Sequence, residues 1–184
     1  MTAIRITPPA TFPVNLAIAK ANMRVDGDDM DVLITSWIKG IVAVLEHEIG
    51  QCLIEQTWRV TLDCFPEAIK LPHPVLSITS VKYFDVNGTE KTLEPAAYRL
   101  CRARYQSHLM PARGGAWPAT LADADVTVEL VCGHGAAPAD VPENVQLYIL
   151  AKLVEQFDPA TRLERDTVQS AFVERLLDAC RSYT

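Results

Sequence analysis

The residues nearest to a metal-hydrolase pattern are His47 and Glu48. A zinc helix of the HExxH type needs a second histidine one turn on, so that both rings reach one ion while the glutamate acts as base. Gln51 stands at that position, and the pair reads instead as a polar patch late in a helix. Asp26, Asp28, Asp29 and Asp31 invite a calcium reading. A calcium loop of the EF-hand type starting at Asp26 needs Gly at its sixth position and Glu at its twelfth. Those positions hold Asp31 and Trp37, so the acids better suit a helix start, where free N–H groups and the helix dipole favour carboxylates. His134 lies between Gly133 and Gly135, His73 between Pro72 and Pro74, and His108 in a segment without periodicity. None has a serine or cysteine at a recognisable motif spacing, and GxSxG, GxxxxGK[ST] and GxGxxG are all absent. Cys52, Cys64, Cys101, Cys132 and Cys180 are odd in number, widely spaced and never form CxxC. They read as buried free thiols of a reducing compartment rather than as a disulfide framework or zinc site. No catalytic residue, metal or cofactor is expected.

One stretch has the composition of a contact surface. Between Ala96 and Ala122 stand Arg99, Arg102, Arg104 and Arg113 with no acid, a local charge of +4 in a chain of net charge −6. Arg102, Arg104 and Arg113, with Tyr105 and Trp117, mix basic and aromatic groups as nucleic-acid contacts do. Four charges would hold DNA only weakly, and an acidic chain disfavours general nucleic-acid binding. A solvated loop, a protein-docking arm and direct DNA contact all remain readings of it. The residues assigned to partner contact are Arg102, Arg104, Arg113 and Trp117.

The elements that must position this stretch follow from periodicity. Pro8, Pro9 and Pro13 make the first thirteen residues an extended arm outside regular structure. Asn15 caps a short helix with Leu16, Ala19 and Met23 on one side. A longer helix, capped by Asp28 and ended by Gly50, carries Ile34, Trp37, Ile38, Ile41, Val42, Leu45 and Ile49 over half its circumference, which calls for two partners. The period then changes to two. Trp58, Val60, Leu62 and Cys64 alternate with polar residues, a second strand covers 78–85, and Asn87-Gly88 turns the chain into a return strand at 91–93. Residues 98–102 and 126–130 are further strands, separated by a long loop over 103–125. Asp140, Pro142 and Glu143 start a helix that Asp158-Pro159 breaks, and a last helix begins at Asp166, with Val168, Phe172, Leu176 and Cys180 inward. The predicted fold class is α+β: a helical bundle from the N- and C-terminal helices (14–50 and 140–183) with an inserted antiparallel β region (56–132), all within one domain of 1–184. No apolar run is long enough to span a membrane, and the N-terminus lacks the apolar core of a signal peptide, so a cytosolic origin is expected.

Several segments together resemble the head–tail connector, or neck adaptor, family of tailed bacteriophages. They are Leu16-x-x-Ala19-Lys20-x-x-Met23-Arg24-Val25-Asp26 with the long helix ending Glu48-Ile49-Gly50, then Leu53-Ile54-x-Gln56-Thr57-Trp58 and Leu71-Pro72-x-Pro74. Ser80-Val81-Lys82-Tyr83-x-Asp85, the turn at Gly88, Gly133-x-Gly135 and Val141-Pro142-Glu143 complete the series. Each is ordinary helix or strand grammar, and the order is what makes them specific. The chain departs from the family at Ala136-Ala137-Pro138, where members often continue with a more aromatic strand end.

The resemblance implies a structural, non-enzymatic protein of the virion neck, assembled in the bacterial host cytoplasm. It would form a homo-oligomeric ring under the portal protein and extend the DNA channel. Downstream neck or tail proteins would dock on it, and DNA would pass without specific binding. Against this stand a small cytosolic ligand- or peptide-binding α+β module and an enzyme with a site built from scattered residues.

Overall fold

The computed structural model describes residues 1–122, 124–157, 173, 175–178 and 180. The chain forms two compact units. One comprises Met1–Pro9 and Glu55–His134, the other Ala10–Ile54 and Gly135–Thr184.

The first unit is all β. Its strands are β1 (Thr2–Thr7), β2 (Gln56–Leu62), β3 (Ile69–Leu71), β4 (Val75–Phe84), β5 (Glu90–Thr92), β6 (Tyr98–Arg102), β7 (Ser107–Pro111) and β8 (Val126–Cys132). They make a five-stranded sheet of order β1-β2-β8-β4-β5 and a three-stranded sheet of order β3-β7-β6, antiparallel throughout. Strand β8 is central, and its side chains alternate between buried and partly buried along its whole length. Val128 stands opposite Val60 on β2 and Val81 on β4, a cross-sheet row with no exposed surface. On the same strand Val126, Leu130 and Cys132 are equally buried, and Ile69, Leu71 and Leu109 supply the smaller sheet's share of the core.

The second unit holds the helices α1 (Leu16–Met23), α2 (Asp31–Ile49) and α3 (Glu143–Phe157), each packed against the other two. The Asn15 side chain accepts from the Ile18 N–H at 2.8 Å and so caps α1. Along α2, Ile34, Ile38, Val42, Leu45 and Ile49 form one buried ridge at helical spacing, and Val145, Ile149 and Leu153 of α3 join it. Gly50 ends α2 at φ +66°, a left-handed conformation that glycine adopts without strain.

The helical-bundle architecture expected from the sequence does not form, although the α+β class holds in part. Among the described residues there are three α-helices and two antiparallel sheets of eight strands. The N-terminal arm is a strand, because its prolines begin only at Pro8 and leave Thr2–Thr7, rich in β-branched residues, free to pair with β2. Strands β3 and β7 add a second sheet, so the β region carries a core of its own. Asp28 does not cap α2. The helix starts three residues later, and Asp28 pairs with Lys20 at 3.1 Å. The expected last helix from Asp166 lies mostly outside the described residues; of those described, Val173 and Leu177 are buried while Leu176 and Cys180 are partly so.

Candidate functional site

The arginine stretch is built on the β6–β7 hairpin. Register runs from Tyr98 opposite Pro111 to Arg102 opposite Ser107, and the Ala103 N–H donates to the Gln106 carbonyl at 2.8 Å to close the turn. The segment 103–125, read from sequence as one loop, therefore carries strand β7 before a shorter connection runs on to β8. Leu109 points into the core, so the opposite face of the hairpin presents Arg99, Cys101, His108 and Met110.

The four residues assigned to partner contact are placed differently from one another. Arg104 sits at the hairpin tip, exposed, with its guanidinium 5.2 Å from the centre of the Tyr105 ring. Arg113 is exposed on the connection after β7. Arg102 donates from Nε to the Val75 carbonyl at 3.0 Å and from Nη2 to the Leu76 carbonyl at 2.9 Å, which ties β6 to the start of β4. Trp117 is half-buried. Its ring stacks on Phe65 with centroids 4.6 Å apart and planes 11° from parallel, and its Nε1 donates to the Pro66 carbonyl at 2.7 Å. Phe65 in turn meets Tyr83 edge-on at 5.8 Å. Trp117 is thus an internal clamp that holds the connection against the turn after β2. Sequence reasoning missed this because Phe65 lies 52 residues away and no local pattern links the two.

The candidates for chemistry sort out plainly. His47 and Glu48 are exposed on α2, and Gln51 is buried with its Nε2 donating to the Cys180 carbonyl at 2.8 Å. In the acidic turn, Lys20 bridges Asp31 at 2.6 Å and Asp28 at 3.1 Å, and these two carboxylates, Asp31 foremost, raise the Lys20 ammonium above its usual pKa. The five cysteines are free thiols, but only Cys52 and Cys132 are buried as expected; Cys64 is exposed, and Cys101 and Cys180 are partly so. Among the described residues no group of three or more His, Cys, Asp or Glu side chains is arranged to hold a metal ion, and no helix is long and apolar enough to cross a membrane.

Two histidines that sequence left apart are brought together. His73 Nδ1 lies 2.9 Å from Ser107 Oγ, and Ser107 has no exposed surface, which closes it to any substrate. Burial holds the His73 imidazole below its usual pKa, opposed by a hydrogen bond to the Arg104 backbone. His134 is also depressed, first by burial and then by the charge of His73.

No protein-family model matches the chain, and no curated protein does. Solved structures do. One is described as the neck of an empty GTA (gene transfer agent) particle computed with C6 symmetry, with TM-score 0.83 and 19% identity. Another is the virion of a native GTA particle, with TM-score 0.82 and 19% identity. A third is the neck of a native GTA particle computed with C12 symmetry, with TM-score 0.77 and 19% identity. In each case the match covers 100% of this chain and 97% of the other. The likeness is one of fold.

Two predictions follow from the geometry of this unit. Trp117→Ala removes a stack and a hydrogen bond and should lower unfolding free energy by about 1–3 kcal/mol, whereas Arg104→Ala should stay within about 0.5 kcal/mol of the parent. Chemical denaturation of the two variants measures this, and equal losses would contradict the placement of Trp117. The second concerns pH. Folded His73 and His134 resist protons that the unfolded chain accepts below about pH 6.5, so their contribution is complete above that value and declines as pH falls through it. The Tm should drop between about pH 7.5 and 5.5, and the drop should shrink in the His73→Gln/His134→Gln double variant. An identical slope in parent and variant would exclude these two rings as its source.

Proposed function

We propose that the chain is a structural component of the neck of a phage-like particle, where copies close into a ring beneath the portal protein. The observation that carries this reading is a fold shared over the full chain with proteins from GTA necks, at TM-scores of 0.77–0.83. Two of those necks were computed with C6 and C12 symmetry. Rotational symmetry of those necks suits a ring of equivalent copies, with 1–184 acting as one connector-like domain. The order of connector-like motifs from Leu16 to Val141-Pro142-Glu143 supports it independently of the fold.

In this role the protein needs no catalytic group. It extends the channel through which DNA passes and offers a platform to downstream neck or tail proteins. With +4 confined to residues 96–122, the rest of the chain carries −10, a balance that keeps DNA from adhering to most of the protein. Arg104 and Arg113, both exposed, are the members of the arginine stretch best placed for partner contact, while Arg102 and Trp117 hold the stretch in shape. Assembly takes place in the host cytoplasm and ends in the virion neck.

Sedimentation or mass photometry of the purified protein, from micromolar to near-millimolar concentration and with a portal protein added, tests the reading. Monomers or small oligomers should give way to closed rings as concentration rises or as portal is supplied. A monomer that persists under both conditions would contradict it.

A further inference from the structure

Arg99 on the outer face of the β6–β7 hairpin has acceptors that suit it poorly. Its Nη1 donates to Cys101 Sγ at 2.8 Å and its Nη2 to Met110 Sδ at 3.5 Å, while its Nε is buried without an acceptor. Thiol and thioether sulfurs are weak acceptors, whereas the planar guanidinium fork matches a carboxylate. Among the described residues no carboxylate forms an ion pair with Arg99. The side chain lines a groove of about 430 Å³ together with Met110, Arg113, Gly115 and Trp117. Glu67 lines it too but forms no ion pair with either arginine among the described residues, so the groove keeps an excess of positive charge.

The opposite charge is found in the same chain. The turn between α1 and α2 holds Asp26, Asp28 and Asp29, all exposed. Lys20 bridges Asp28 and Asp31, whereas Asp26 and Asp29 form no ion pair among the described residues. One surface of the chain thus has cations lacking carboxylates, and another has carboxylates lacking cations.

We propose that the arginine groove of one copy receives the Asp26–Asp29 turn of a second copy. The contact joins two different patches, which is the arrangement a closed ring of more than two copies requires. It rests on the ring reading and names one of the contacts between neighbours. A carboxylate entering the groove replaces the sulfur acceptors of Arg99 with a forked pair of charge-assisted hydrogen bonds, and Arg113 supplies the second charge.

A fluorescein-labelled peptide spanning Val25–Asp31, titrated into dilute full-length protein at low salt and followed by anisotropy, tests the groove separately from ring formation. Saturable binding is expected, weakened about tenfold by Arg99→Gln and by Arg113→Gln and further weakened by added salt. Arg113 lies on an exposed connection, so its variant keeps the test valid even where Arg99→Gln disturbs the hairpin. A peptide carrying Asp26→Asn and Asp29→Asn should bind at least about tenfold more weakly. Absence of saturable binding, equal binding of the Asn peptide, or equal displacement by inorganic phosphate at matched concentration each overturns the proposal. Rings that form normally while the peptide fails to bind overturn the groove and leave the ring reading standing. Peptide binding without rings does the reverse.

Discussion

Strand β8 must reach its place between β2 and β4 before the β unit has a core at all. The row Val60–Val128–Val81 joins three strands through side chains with no exposed surface, and β8 contributes the buried member of every second position. Closing β8 against β2 constrains the whole stretch between Leu62 and Val126, at an entropic cost that grows only slowly with its length. The long excursion is therefore tolerable once the apolar row forms. The β6–β7 hairpin, the acid-free arginine stretch and the connection clamped by Trp117 all sit in that excursion.

The parts of the fold legible in the sequence are those whose signal is local and repeated. The ridge of α2 shows at every turn of the helix, the Asn15 cap is a single residue in its proper place, and the alternation of Trp58, Val60 and Leu62 marks β2 outright. The parts that were not legible are short or depend on distant partners. Strand β3 has three residues between prolines, β7 ends on Pro111, and β1 precedes a proline cluster that hides its β-branched run. Missing these three strands turned a unit with two sheets into an insertion within a helical bundle. The candidate site divides the same way. Composition alone exposed the arginine stretch, but the stack of Trp117 on Phe65 and the meeting of His73, Ser107 and His134 arise from chain reversals that no spacing encodes.

The same division of labour bears on function. A helical unit with one deeply buried ridge and a β unit with its own core supply stable platforms, while one stretch, residues 96–122, carries basic groups and no acid in a chain that is acidic as a whole. A local charge imbalance of this kind sets orientation and partner choice more than affinity, which suits the ring contact proposed above.

The most direct test is a reconstruction of the neck in phage-like particles purified from cells that express this chain. The account predicts a rotationally repeated layer of density beneath the portal into which both units of this fold fit, copy by copy. A complete neck with no density of this shape, in particles from which the chain is absent, would contradict it.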